Sequence, residues 1–133
     1  MSEYTIVNLK DVEDQAPKFG ISPNMEARFA NDPLELQKSG VSLQRIAPNF
    51  RQPFGHRHNK QEELYVLLQG NARMKIDDEV IELKQWDAVR VPPERMRCLE
   101  GGPDGAEFLA FGAPNTGVSP AEDAEMTPGW WKD

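Results

Sequence analysis

The chain has 133 residues, a formal net charge of −7 and one cysteine, Cys98. That length suits one domain with one core, and a lone cysteine excludes an intramolecular disulfide, in keeping with a reducing compartment. The acidic balance, with Lys and Arg scattered, argues against nucleic-acid and anionic-membrane partners.

No stretch approaches the roughly 20 apolar residues of a membrane span. The opening residues also lack the basic-then-apolar order of a secretory signal. A cytoplasmic protein is expected.

Eleven prolines and ten glycines punctuate the chain, the spacing of short strands joined by turns. Tyr4–Leu9 reads as a strand, Asp11–Pro23 as a loop and Met25–Ala30 as a short strand. Asn31–Gly40 carries a helix-start signal and a closing glycine, which suggests one or two helical turns. Val41–Ala47 is a strand and Pro48-Asn49 a turn. Glu63–Gln69 is a buried strand closed by Gly70-Asn71. Ala72–Asp77 and Val80–Leu83 form a hairpin about Asp77-Asp78-Glu79. Trp86–Val91 is a strand stopped by Pro92-Pro93. Met96–Leu99 and Glu107–Gly112 are strands flanking a hairpin loop at Gly101–Gly105. The tail from Ala113 reads as loop, and Trp130-Trp131 as its anchor to the barrel or a second subunit. Eight or nine short strands with few or no helices predict an all-β domain, a barrel or jelly roll, because closure hides strand edges.

The chain's only two histidines, His56 and His58, stand two apart. In an extended segment such residues share a face, so both imidazoles project together and Arg57 points away. Glu63 opens the next strand on a face shared with Tyr65 and Leu67. Two imidazoles and one carboxylate converging on a cavity suit a transition metal or zinc. Glu62 and the acidic cluster Glu122, Asp123 and Glu125 read as solvated surface. Gln52 and Gln61 are possible ligands or substrate contacts. Arg45 reads as a surface residue.

The run His56-x-His58, four residues, Glu63, six residues, Gly70 resembles the first cupin motif. Trp86-Asp87-Ala88-Val89-Arg90-Val91-Pro92-Pro93 resembles the second, with Trp86 where the family has glycine. The resemblance covers about residues 41–112 and implies a single cupin domain over 1–133, with a barrel core at 41–112 and a tail at 113–133. It implies His56, His58 and Glu63 as metal ligands for Fe, Mn, Zn or Ni, and a homodimer. The family's third metal-binding histidine falls at Arg97, whose guanidinium cannot ligate a metal. An inward Arg97 would pair with Glu63 or clamp a substrate carboxylate or enolate, and the next residue, Cys98, would face outward.

Three functions follow from these residues. One is a metal-dependent enzyme, of oxygenase or Lewis-acid type, on a small carbonyl or carboxylate compound, with Arg97 orienting it. The second is a metal-free isomerase or epimerase using His56 or His58 as base and Arg97 as enolate stabiliser. The third is a binding or sensing module without turnover. Each has a small, anionic ligand.

Overall fold

The computed structural model describes residues 3–116 and 120–133. Eight strands make one curled antiparallel sheet: β1 (Met25–Phe29), β2 (Gly40–Ile46), β3 (Phe54–His58), β4 (Glu62–Ile76), β5 (Glu79–Lys84), β6 (Ala88–Val91), β7 (Arg97–Ala113) and β8 (Ala124–Pro128). The all-β expectation holds. Helical structure among the described residues is confined to 3-10 turns at Leu9–Asp11 and Ala16–Phe19 and a four-residue helix, α1 (Pro120–Asp123).

Two long strands, β4 and β7, carry the architecture. The first part of β4 pairs with the last part of β7 (Glu63↔Gly112 to Gly70↔Ala106), and its last part with the first of β7 (Ala72↔Gly101 to Ile76↔Arg97). Both strands bend at the same level, where the register shifts around Leu67–Ala72. Gly70 (φ +82°) and Gly105 (φ +74°) meet at this bend, and a Cβ on Gly70 would lie 2.0 Å from the Gly105 carbonyl oxygen. Only glycine permits that approach. Gly101–Gly105 is therefore a bend inside β7 rather than a hairpin loop, and β4 runs on through Gly70-Asn71 to reverse only after Ile76.

Each half of the bent pair gains different neighbours. β2 and β6 flank the Glu63 end, while β5 flanks the Ile76 end. The core between the faces includes Leu67, Met74, Leu83, Val91, Leu99 and Phe108. Inside–outside alternation along β4 follows the sequence: Tyr65, Leu67, Ala72 and Met74 are buried, while Glu62 is exposed.

Four other expectations fail for local reasons. Tyr4–Leu9 is not a strand, and its Tyr4 and Ile6 are exposed. Asn31–Gly40 holds turns without a helix, and its Asn31 side chain accepts from Val41 N–H instead of capping one. Trp86 precedes β6, exposed and at φ +75°, the backbone region that glycine occupies most easily. Cys98 is fully buried, although its neighbour Arg97 is buried too. Its thiol donates to the Gln52 carbonyl at 3.5 Å, because the segment before β3 covers that side of the strand.

The largest departure is the tail. β8 pairs with the whole of β3, Phe54↔Pro128 to His58↔Ala124, so the sheet reaches beyond residues 41–112. Trp131 is buried at 7% exposure under the guanidinium of Arg51, 4.2 Å from its ring. Trp130 lies where a Cβ on Gly55 would be, and Lys75 stacks on it at 4.7 Å. The tail is thus tied to its own barrel. Trp131→Ala should lower stability by about 3 kcal/mol, read as a shift in urea midpoint. An unchanged midpoint would mean that Trp131 holds nothing.

Candidate metal centre

β3 and the start of β4 bring the candidate residues together. Phe54, His56 and His58 alternate inward along β3, while Arg57 points out to Glu125 at 3.1 Å. Glu63 arrives from β4 between the two imidazoles. Its Oε1 lies 3.2 Å from His56 Nε2, 3.1 Å from His58 Nε2 and 2.6 Å from the Tyr65 hydroxyl, which donates to it. The imidazole rings stand edge to face, 5.2 Å apart.

Burial would raise the Glu63 carboxyl, but the two imidazoles beside it outweigh that and hold it well below the usual carboxylate range. Burial keeps the His56 pKa low, with Arg97 and His58 adding to the effect and Glu63 opposing it. Neutral imidazole is the form that binds metal. Burial and the negative Glu63 push the Tyr65 hydroxyl well above its ordinary value, so it stays a donor.

One residue here has no signal in the sequence. Asp123, from α1, is buried at 6% exposure rather than solvated. Its Oδ2 accepts from the backbone N–H groups of Lys60 (3.3 Å) and Gln61 (3.1 Å) and lies 3.2 Å from His58 Nδ1. An acceptor-only carboxylate assigns the ring proton of neutral His58 to Nδ1. Nε2 then faces Glu63 Oε1: with a proton on it, it donates to that carboxylate, and without one its lone pair is open to a cation. Two such atoms at 3.1 Å repel unless a cation or proton lies between them. A carboxylate behind a metal-binding histidine sets its tautomer in this way. His56 has no such partner, and its buried Nδ1 is without a hydrogen bond.

The donor set fits a divalent ion. One ligand atom from each of His56, His58 and Glu63 lies within 4.8 Å of the others. Two imidazoles and a carboxylate with open positions suit a transition metal. Arg97 is fully buried but does not line the cavity. Its guanidinium reaches the carbonyls of Pro92 (3.2 Å), Val91 (3.5 Å) and His56 (3.5 Å), and stands 3.9 Å from Glu63 Oε1.

The site opens into a cavity of about 110 Å³. Gln52, Gln61 and Tyr65 border it, and Phe19, Ile21, Met25, Phe29 and Met126 supply apolar wall. Gln52 and Gln61 are also tied to the frame, Gln52 by accepting from Leu99 N–H at 2.9 Å and Gln61 by donating to the Pro114 carbonyl at 3.1 Å. Arg45 lies on the outer surface, paired with Glu26.

Two predictions follow from this geometry. Asp123→Asn should weaken Zn(II) binding by about 10- to 100-fold, measured by competition with a chromogenic chelator, and should add nothing in a His58→Ala background. An equal loss in both backgrounds would refute the link through His58. The second concerns Cys98, whose thiol burial pushes up to about 12. It should resist a disulfide reagent at pH 8 in the native protein and react at once in denaturant.

No protein-family model matches the chain. Over 45 residues it is 36% identical to an uncharacterized protein of Methanocaldococcus jannaschii, a match taking in 34% of this chain and 36% of that protein. The chain thus spans about a third of the curated relative's length. Among solved structures, a cupin protein from Bacteroides fragilis superposes with a TM-score of 0.71 at 24% identity, over 90% of this chain and 91% of that one. Oxalate decarboxylase from Bacillus subtilis gives 0.75 at 18% identity, over 94% of this chain and 33% of that one. KdgF from a Halomonas species gives 0.66 at 13% identity, over 85% and 96%. At these identities the likeness is one of fold.

Proposed function

The chain has the cupin fold, and on that frame we propose that it is a metal-dependent enzyme acting on a small molecule. His56, His58 and Glu63, which line the cavity, would hold a divalent transition metal. The observation that carries this reading is His58, whose Nδ1 is taken by Asp123 while its Nε2 stands 3.1 Å from Glu63 Oε1. Oxalate decarboxylase, an enzyme, shares the fold, and turnover at this site is part of the proposal.

The bound metal would supply Lewis-acid or oxygen chemistry at its open positions. The chain's own groups prepare that place. Asp123 fixes the His58 ring, and Tyr65 holds the Glu63 carboxylate by its hydroxyl. Arg97 balances the Glu63 charge from outside the cavity wall and orients that carboxylate. The apolar wall would limit water at the reacting end, where charges interact more strongly than in bulk solvent.

The test is metal content by mass spectrometry, on protein purified without a metal-affinity tag and incubated anaerobically with Fe(II), Mn(II), Zn(II) or Ni(II). Near-stoichiometric metal is expected, falling at least tenfold in His56→Ala, His58→Ala and Glu63→Gln. A folded wild-type protein that retains none of the four ions would overturn the proposal.

A further inference from the structure

The cavity's walls restrict what can occupy it. They are apolar from opposite sides: Phe19, Ile21, Met25 and Phe29 on one, Phe54 and Met126 on the other. Phe19 and Met126 are also half exposed, at 47% and 46%, so apolar surface continues to the outside. Among the described residues, no lysine or arginine lines the space. The nearby cations are engaged elsewhere: Arg97 lies outside the lining under three carbonyls, and Arg28 and Arg45 both pair with Glu26. Among the described residues, the one fixed charge lining the cavity is Glu63.

The remaining polar groups are partly committed. Gln52 and Gln61 are tied as described, Asn31 accepts from Val41 N–H, and Ser42 accepts from Gln44. Gln44, Gln52 and Gln61 each bond through one end of the amide only, so hydroxyls could be met there, whereas an added charge could not. A second anionic group would have no countercharge at all. Size is restricted as well. An apolar cavity of about 150 Å³ holds benzene, so about 110 Å³ with an open mouth seats roughly one ring or a short branched chain.

We infer that the cavity takes an apolar molecule, about one ring in size, with a single polar head at the His56–His58–Glu63 end and no second charged group. This rests on the reading that the cavity is the ligand site, and it names the ligand class. It also replaces the expectation of a ligand clamped by Arg97. Dicarboxylates and phosphorylated compounds fall outside the class.

Calorimetric titration of the Zn(II)-incubated protein with 4-methylbenzoate and with terephthalate tests it. The two share ring and head, and differ in a methyl against a second carboxylate. 4-Methylbenzoate should bind at least about tenfold more tightly, because terephthalate buries an unpaired charge in either orientation. Phe29→Lys should narrow that gap by supplying a cation to the wall. If that variant does not fold, the wild-type comparison still decides. Terephthalate or oxalate binding as tightly as 4-methylbenzoate would overturn the inference, as would no binding of 4-methylbenzoate at millimolar concentration. The same titration in His56→Ala separates the two readings. Undiminished 4-methylbenzoate binding there would count against the metal while leaving the ligand class standing. Metal-loaded protein that prefers the dicarboxylate would do the reverse.

Discussion

Glu63 Oε1 sits within 3.2 Å of two imidazole nitrogens and 2.6 Å of a phenol oxygen, with a guanidinium at 3.9 Å. A buried carboxylate is costly unless its lone pairs are met and its charge is balanced. Every element near the site contributes to that balance. β3 brings the two imidazoles, β4 brings Glu63 and Tyr65 two residues apart on one face, and β7 brings Arg97. The three strands must keep register to within one residue, since a one-residue slip would turn each group to the other side of the sheet. The bend at Gly70 and Gly105 lets β4 and β7 curl around this point while staying paired on both sides of it.

The C-terminal segment links that site to the stability of the barrel. β8 runs beside β3 along its full length, and α1 just before it places Asp123 behind His58. Farther on, Trp131 is held under Arg51, which also bonds Glu100 of β7 at 2.9 Å. Order in the tail and orientation of the His58 ring are therefore coupled. A segment that would otherwise leave β3 as an open sheet edge both closes that edge and supplies a group the site uses.

Arg97 shapes the cavity from outside its wall. Where the motif resemblance implies a histidine, a longer and permanently charged side chain lies buried among the carbonyls of His56, Val91 and Pro92. It leaves the cavity without a cation of its own. The result is a polar end built from His56, His58 and Glu63, and a wall that is largely apolar. That contrast would orient a ligand of the inferred class as well as admit it.

The periodicity of two, the punctuation by glycine and proline, and the spacing His56-x-His58 to Glu63 were enough to read an all-β sheet and three of the residues at its centre. These are local properties, because strand alternation decides which side chains share a face before any partner strand is known. The sequence by itself could not show that Gly101–Gly105 bends a continuous strand, since a tight turn and a bulge use the same residues and differ only in what lies opposite. Nor could it show that Asp123 is buried, because an acidic cluster near a chain end reads as solvated until another element covers it. The positions of Arg97 and Cys98, adjacent in β7 and both buried, break alternation for the same reason: one side of the strand meets the core and the other is covered by the segment leading into β3. Sequence determined which chemical groups were available and which of them face together; the tertiary packing decided which charges were buried, which were balanced and which of them the cavity faces.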